Sequence, residues 1–133
     1  MAFLDENRDL SIKNYNKNRG ILQMYKTILT IGLNDKDAET QLIKTEEARA
    51  IIENILINEC NILAFTAFEC TGVYRMYSTG HIVREQSIRV EIVDEVRLDT
   101  RLDVFPRLLS RLKCALNQES IMIEIAPAEV YFR

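Results

Sequence analysis

The alternation of apolar and polar residues between His81 and Asp94 constrains the fold more than any other feature of the sequence. The apolar side carries Ile82, Ile88, Val90 and Ile92, and the polar side carries Glu85, Ser87, Arg89 and Glu91. A two-residue period of this length predicts a β-strand with one face in the core. Arg84 and Gln86 are polar residues on the otherwise apolar side.

A second extended segment precedes this strand. It runs over Ile62–Met76 and is interrupted by Gly72, a position where a glycine often marks a bulge or a close backbone approach. Ser78-Thr79-Gly80 separates the two segments and supplies a turn. The two strands are therefore predicted to form a hairpin.

Two amphipathic helices are predicted, one on each side of the hairpin in the sequence. Thr45 is the predicted N-cap of the first, and the second is predicted to begin at about Asp103, because Pro106 is tolerated in a first turn. The first apolar stripe is Ala48, Ile51, Ile52, Ile55 and Leu56, and the second is Phe105, Leu108, Leu109, Leu112 and Leu116. These spacings are those of helices that bury one face.

Two further predicted strands complete the pattern, one before the first helix and one after the second helix. Tyr25–Leu33 is rich in β-branched residues and stops at Gly32 and the polar Asn34-Asp35-Lys36-Asp37. Ser120–Ala126 alternates, Pro127 is predicted to interrupt it, and Glu129–Phe132 is predicted as an edge continuation. The order strand, helix, strand, strand, helix, strand predicts an α+β, ferredoxin-like βαββαβ fold, in which a four-stranded antiparallel sheet carries two helices on one face. Residues 1–23 are predicted to be an N-terminal arm, and residues 24–133 the domain.

Composition narrows the classes of function. The 133 residues match one domain, and the net charge of -3 gives no overall attraction to nucleic acid or to an anionic membrane. No apolar run reaches the roughly 18–20 residues of a membrane span, and the acidic N-terminus is not that of a signal peptide. We expect a cytoplasmic protein with no membrane partner.

Metal and cofactor sites are not expected. Cys60, Cys70 and Cys114 are widely spaced and lack the close pair of a zinc site, so they are interpreted as reduced, partly buried thiols. His81 is the single histidine and is expected on the surface beside the turn.

The hairpin carries a resemblance to known families. Thr71-Gly72-Val73-Tyr74-Arg75, Gly80-His81-Ile82 and Arg84-Glu85-Gln86-Ser87, followed by Gln118-Glu119-Ser120, resemble an uncharacterised family of small bacterial domains. The hairpin is also similar to CutA-like and PII-like trimeric signalling proteins. This second resemblance implies a βαββαβ trimer with ligands in the clefts between subunits. The long nucleotide-binding loop of PII proteins is replaced here by Ser78-Thr79-Gly80.

Candidate ligand-binding residues flank the turn and the entry to the last strand. They are Tyr74, Arg75, Arg84, Glu85, Ser87, Gln118 and Glu119. An arginine with Gln and Ser donors suits a carboxylate or phosphate, because the guanidinium offers a bidentate fork. The alternative is that these residues form cross-strand ion pairs and donate hydrogen bonds to the free carbonyl groups at a helix C-terminus. Arg84 is expected to pair with Glu119 or with an acid of a neighbouring subunit.

The sequence favours a non-catalytic, small-ligand-binding or regulatory module that acts as a homodimer or homotrimer and takes a small anionic ligand. No recognisable catalytic motif is present, and an enzyme would need a site near Tyr74, His81 and Arg84. The alternative is a phage or mobile-element protein whose arm engages a host macromolecule. Nucleic acid is disfavoured, because the predicted central strands carry a single aromatic residue, Tyr25.

Overall fold

The structure is a computed structural model that describes residues 15–16 and 21–133. Its elements are β1 (Tyr15–Asn16), β2 (Ile21–Gly32), α1 (Thr45–Asn54), β3 (Thr66–Arg75), β4 (Ile82–Asp94), α2 (Phe105–Ala115) and β5 (Met122–Val130). A π-helical turn, Ile55–Glu59, extends α1, and a 3-10 turn, Leu98–Thr100, precedes α2. The fold is α+β and ferredoxin-like, as predicted.

The sheet is antiparallel, and its four long strands lie in the order β5-β2-β4-β3. The short β1 pairs with the first residues of β2. The first and third long strands are therefore central. Their register places Ile31 opposite Ile88 and Leu29 opposite Val90.

Both helices cover one face of this sheet, which we call the helix face. Side chains of α1 and α2 form a single cluster with alternate residues of β2 and β4. Its fully buried members include Leu29, Ile31, Ala48, Ile52, Ile88, Val90, Leu108 and Leu112. The predicted helix stripes and the alternation of β4 thus meet in the core.

The second strand begins later than predicted, at Thr66 and not at Ile62. Asn61 adopts a positive φ of 55°, and the N–H of Ile62 donates to the carbonyl of Leu56 at 2.8 Å. Ile62 is buried at the end of the helical segment. The apolar run beginning at Ile62 therefore includes a helix-terminating segment as well as a strand.

The last strand passes through Pro127 without interruption, contrary to the prediction. Pro127 lies opposite Tyr25, and pairing continues to Val130. Among the described residues β5 pairs with β2 alone, so it is an edge strand, where a residue without an N–H is tolerated.

The helix starts also differ slightly from prediction. Lys44 is the N-cap of α1, and Thr45 is its first helical residue. The second helix begins at Phe105, with Pro106 in its first turn. The first long strand starts at Ile21, and most of the predicted arm lies outside the described residues. No helix in the described part of the chain is long and apolar enough to cross a membrane.

Candidate ligand-binding site

The sheet face opposite the helices, which we call the far face, carries the polar residues of β4. Strand alternation places Glu85, Ser87, Arg89 and Glu91 there, as the sequence predicts. The register adds even-numbered residues of β2 and β3, including Thr30, Gly32, Phe68, Cys70, Gly72 and Tyr74. The candidate site is built on this face.

Glu85 is a half-buried carboxylate of the far face. Its side chain lies over the Cα of Gly32, where a Cβ would come within 2.5 Å of the Glu85 Cδ. The backbone N–H of Asn34 donates to Glu85 Oε2 at 2.9 Å. The absence of a side chain at Gly32 lets the carboxylate lie against β2, and the Asn34 amide fixes its orientation.

Small residues surround this carboxylate. Gly72 lies directly opposite Glu85 on β3, and Cys70 lies opposite the buried Ser87. A Cβ at Gly72 would make ordinary contacts, with Ser87 Oγ at 3.7 Å, so no bulge or close approach occurs there. The glycine that permits a close approach is Gly32.

Two aromatic side chains lie farther along β3 on the same face. Phe68 and Tyr74 are 38% and 48% exposed and flank the small residues Cys70 and Gly72. They are six positions apart, which is about 20 Å along an extended strand. The surface between these aromatic ends presents the Glu85 carboxylate. It suits a ligand with a flat ring and either hydroxyl groups or a positive charge.

An ion pair marks the neighbouring part of the far face. Arg89 Nη2 lies 3.6 Å from Glu124 Oε1 on β5, so the arginine reaches across β2. Arg89 Nε and the Oγ1 of its cross-strand neighbour Thr30 are buried without a hydrogen-bond partner. This pair borders the Glu85 region and is not joined to it by a hydrogen bond among the described residues.

The loop after β2 connects Glu85 with the end of α2. Gln118 Nε2 donates to the Asn34 carbonyl at 2.7 Å, while Asn117 Nδ2 donates to Asp35 at 2.8 Å and to Asp37 at 2.9 Å. The Asn117 amide, followed by the backbone N–H groups of Ala38 and Asp37, holds the pKa of Asp35 below its ordinary value of 3.8. The loop is therefore fixed by two neighbouring amide side chains.

The seven predicted site residues separate into two groups. Tyr74, Glu85 and Ser87 share the far face, and Gln118 reaches the same region through Asn34. Arg75 donates to the Gly80 carbonyl at 2.8 Å and stabilises the turn. Arg84 and Glu119 are exposed, and no ion pair joins either to another described residue. The expected Arg84–Glu119 pair is therefore not formed within the described chain.

Two residues of the site were missed by sequence reasoning. Asn34 contributes only backbone groups, so its residue type carries no signal. Gly32 is predicted from sequence to end a strand, and a glycine in a strand also signals a close backbone approach. Which side chain comes close to Gly32 depends on the register in which β2 pairs with β4.

The three cysteine thiols and the single histidine are spread over different parts of the fold. All three cysteines are free; Cys60 is buried, Cys70 half-buried and Cys114 exposed, so Cys114 is more open than expected. His81 is exposed beside the turn. Within residues 21–133, no group of three or more His, Cys, Asp or Glu side chains is arranged to hold a metal ion.

Solved structures show what this fold is similar to. A phage SAM lyase in complex with S-methyl-5'-thioadenosine superposes with a TM-score of 0.55 at 21% identity, covering 82% of this chain and 90% of that chain. GlnK from B. subtilis, in an ATP complex, gives 0.47 at 13% identity over 80% and 82% of the two chains. CutA1 from Thermus thermophilus gives 0.43 at 18% identity over 79% and 84%.

The likeness to the phage SAM lyase shows a shared fold. GlnK and CutA1 are also among the solved structures that superpose, at TM-scores below 0.5. No family model matches the chain, and no curated protein matches it. Membership of the uncharacterised bacterial family therefore stays a prediction.

Proposed function

We propose that this chain is a small-ligand-binding module that acts as a homo-oligomer, and that its ligand is S-adenosylmethionine (SAM) or a 5'-thioadenosine compound. The observation that carries the proposal is the Glu85 carboxylate, held over Gly32 by the Asn34 amide. SAM presents a sulfonium cation, ribose hydroxyls and an adenine ring. A carboxylate attracts the cation or accepts hydrogen bonds from the hydroxyls, and an aromatic side chain stacks on the ring.

The choice of ligand draws on the phage SAM lyase of similar fold. That protein is solved with S-methyl-5'-thioadenosine, which is SAM without its aminobutyryl group. The site described here has the matching chemical features, since Tyr74 and Phe68 offer rings and Glu85 offers an anion. The ligand class expected from sequence was anionic. The chemistry of the far face favours a ligand with a positive centre.

Assembly is the second part of the proposal. Large apolar side chains are exposed at the tip of the β3–β4 hairpin: Val73 is 58%, Tyr74 48% and Ile82 48% exposed. Such a concentration favours contact with a second copy of the chain. Arg84 projects from the opposite side of β4 to Glu85. In an assembly, Arg84 of one copy is available to the carboxylate of a ligand held by another.

A second candidate function is cleavage of SAM. It is favoured by the phage SAM lyase fold together with the fixed Glu85 carboxylate. Cleavage that yields S-methyl-5'-thioadenosine breaks the bond from sulfur to the aminobutyryl carbon, and the bonding pair stays on sulfur. As this bond breaks, the fragment's own carboxylate attacks that carbon to close a lactone, or a base removes a proton from the adjacent carbon to leave an alkene, and a carboxylate such as Glu85 is one such base.

One experiment separates the two candidates. SAM and S-methyl-5'-thioadenosine are titrated into the purified protein by calorimetry, and a SAM incubation is followed by liquid chromatography. Binding without product formation supports a binding module, and product formation supports a lyase. If the protein neither binds nor converts SAM, the proposal fails.

The interaction-protein alternative is tested by truncation. The N-terminal arm that motivates it lies outside the described residues, apart from Tyr15 and Asn16 in β1 and the start of β2. Deleting residues 1–14 leaves every described strand in place. The ligand-binding proposal predicts unchanged SAM affinity after this deletion, whereas the alternative predicts loss of a macromolecular partner.

A further inference from the structure

The end of α2 places Gln118 in a fixed position. Asn117 has a positive φ of 48°, and the N–H of Gln118 donates to the Lys113 carbonyl at 2.9 Å. The N–H of Asn117 donates to the Cys114 carbonyl at 3.4 Å. These bonds form a Schellman motif, which ends a helix in a defined geometry. Gln118 therefore emerges from a rigid junction.

The half-buried Gln118 side chain is directed at the loop after β2. Its Nε2 donates to the Asn34 carbonyl at 2.7 Å and lies 3.2 Å from the Leu116 carbonyl. On the other side of Asn34, the N–H donates to Glu85 Oε2. One residue of backbone thus separates the Gln118 amide from the carboxylate of the candidate site.

We propose that Gln118 is a positioning residue that fixes the Glu85 carboxylate through the backbone of Asn34. Gln118 holds the Asn34 carbonyl, and this constrains the direction of the Asn34 N–H. That N–H in turn selects the orientation of the carboxylate over Gly32. The inference deepens the proposed function: it rests on SAM as ligand for its effect on binding, but not for its effect on Asn34.

The test compares Gln118→Met with Asp37→Ala. Methionine keeps the length of the side chain but has no amide donor, so the bond to Asn34 is lost. Asp37→Ala removes one of the two Asn117 bonds to the same loop and leaves Gln118, Asn34 and Glu85 in place. Thermal unfolding of both variants checks that each is folded before the comparison is made.

The first readout is hydrogen exchange of the Asn34 amide by NMR, without ligand. Gln118→Met is expected to accelerate this exchange about tenfold, the loss typical of one hydrogen bond, and Asp37→Ala to leave it near the wild-type rate. The second readout is the ratio of the SAM affinity to the S-methyl-5'-thioadenosine affinity. S-methyl-5'-thioadenosine lacks both the sulfonium charge and the aminobutyryl group of SAM, so this ratio reports on the groups that recognise these two features, and Gln118→Met is expected to lower it several-fold.

Each outcome decides the inference. Faster Asn34 exchange with a lower affinity ratio, in Gln118→Met alone, supports it. A ratio that falls without a change in exchange, or faster exchange with an unchanged ratio, overturns it, and so does equal behaviour of the two variants. If the wild-type protein binds neither ligand, the proposed function fails and Asn34 exchange alone decides whether Gln118 fixes this backbone.

Discussion

The Glu85 carboxylate occupies the space in which a side chain at Gly32 would lie. A Cβ at Gly32 would be 2.5 Å from Glu85 Oε1 and 2.6 Å from Oε2, closer than real Cβ contacts come. The two residues come from different strands, and the Asn34 N–H holds them together. This relationship makes the position of the carboxylate dependent on the glycine.

The first prediction concerns Gly32→Ala. The added Cβ must displace the end of the Glu85 side chain and disturb its bond to Asn34, so we expect the free energy of unfolding to fall by about 1 kcal/mol, the contribution of one hydrogen bond. Gly72→Ala is the control, because its Cβ would meet its nearest neighbour at 3.7 Å. The measurement is denaturant unfolding.

A double variant identifies the cause. Glu85→Ala removes the group that the new Cβ contacts, so Gly32→Ala should cost less in that background. Equal costs in the two backgrounds would show that Gly32 is not constrained by Glu85.

The second prediction concerns the helix that covers the sheet. Ile52 is fully buried, and Ile52→Asp places an unpaired charge in the core at a cost of about 3–5 kcal/mol. Circular dichroism should show an unfolded or strongly destabilised domain. Ala50→Asp, at an exposed position of the same helix, should melt near the wild-type temperature. A stable Ile52→Asp variant would contradict the assigned helix face.

The third prediction concerns the pKa of Asp35. The Asn117 side chain is the largest cause of its lowered pKa, so Asn117→Ala should raise the pKa towards 3.8. Because the native pKa is below the unfolded value, the stabilisation is present above pH 3.8 and is lost as the pH falls through the native value. NMR titration of the Asp35 carboxyl carbon measures the shift. An unchanged pKa in the variant would show that the backbone amides alone hold the carboxylate.

The fourth prediction concerns assembly through the hairpin. We expect wild-type protein at micromolar concentration to sediment as a dimer or trimer. Ile82→Asp places a charge among the exposed apolar residues of the hairpin and should shift the protein towards monomer. Leu102→Asp, at a side chain 80% exposed away from the hairpin, should not. A wild-type monomer at all concentrations tested would refute the assembly proposal.

Much of the fold was predictable because its signals are local. The apolar stripe that includes Ile52 has the helical spacing within one segment of the sequence. The alternation of Ile88, Val90 and Ile92 likewise gives the strand period within one segment. The errors occurred where a local signal had two meanings. Pro127 predicted a break in the last strand, but a proline is tolerated there because the strand lies at the edge of the sheet. Ile62 was predicted to begin a strand, whereas its N–H bonds to the end of the helical segment.

The candidate site was less predictable because its contacts are distant in sequence. Asn34 and Glu85 are 51 residues apart, and Asn34 and Gln118 are 84 apart. The sequence marked Glu85 and Gln118 as polar residues near strand ends. Their meeting at Asn34 depends on the register of β2 with β4 and on the helix end at Asn117, neither of which the local pattern contains.

The central claim is that Glu85, fixed over Gly32, recognises a SAM-type ligand. The most direct test is calorimetric titration of SAM into wild-type protein and into Glu85→Gln, with S-methyl-5'-thioadenosine as the uncharged comparison. Glutamine keeps the shape of the side chain and removes its charge. We predict that wild-type protein binds SAM and that Glu85→Gln loses at least about tenfold in SAM affinity while losing less for S-methyl-5'-thioadenosine. Equal SAM affinity in the two proteins, or no SAM binding by wild-type protein, would contradict the claim.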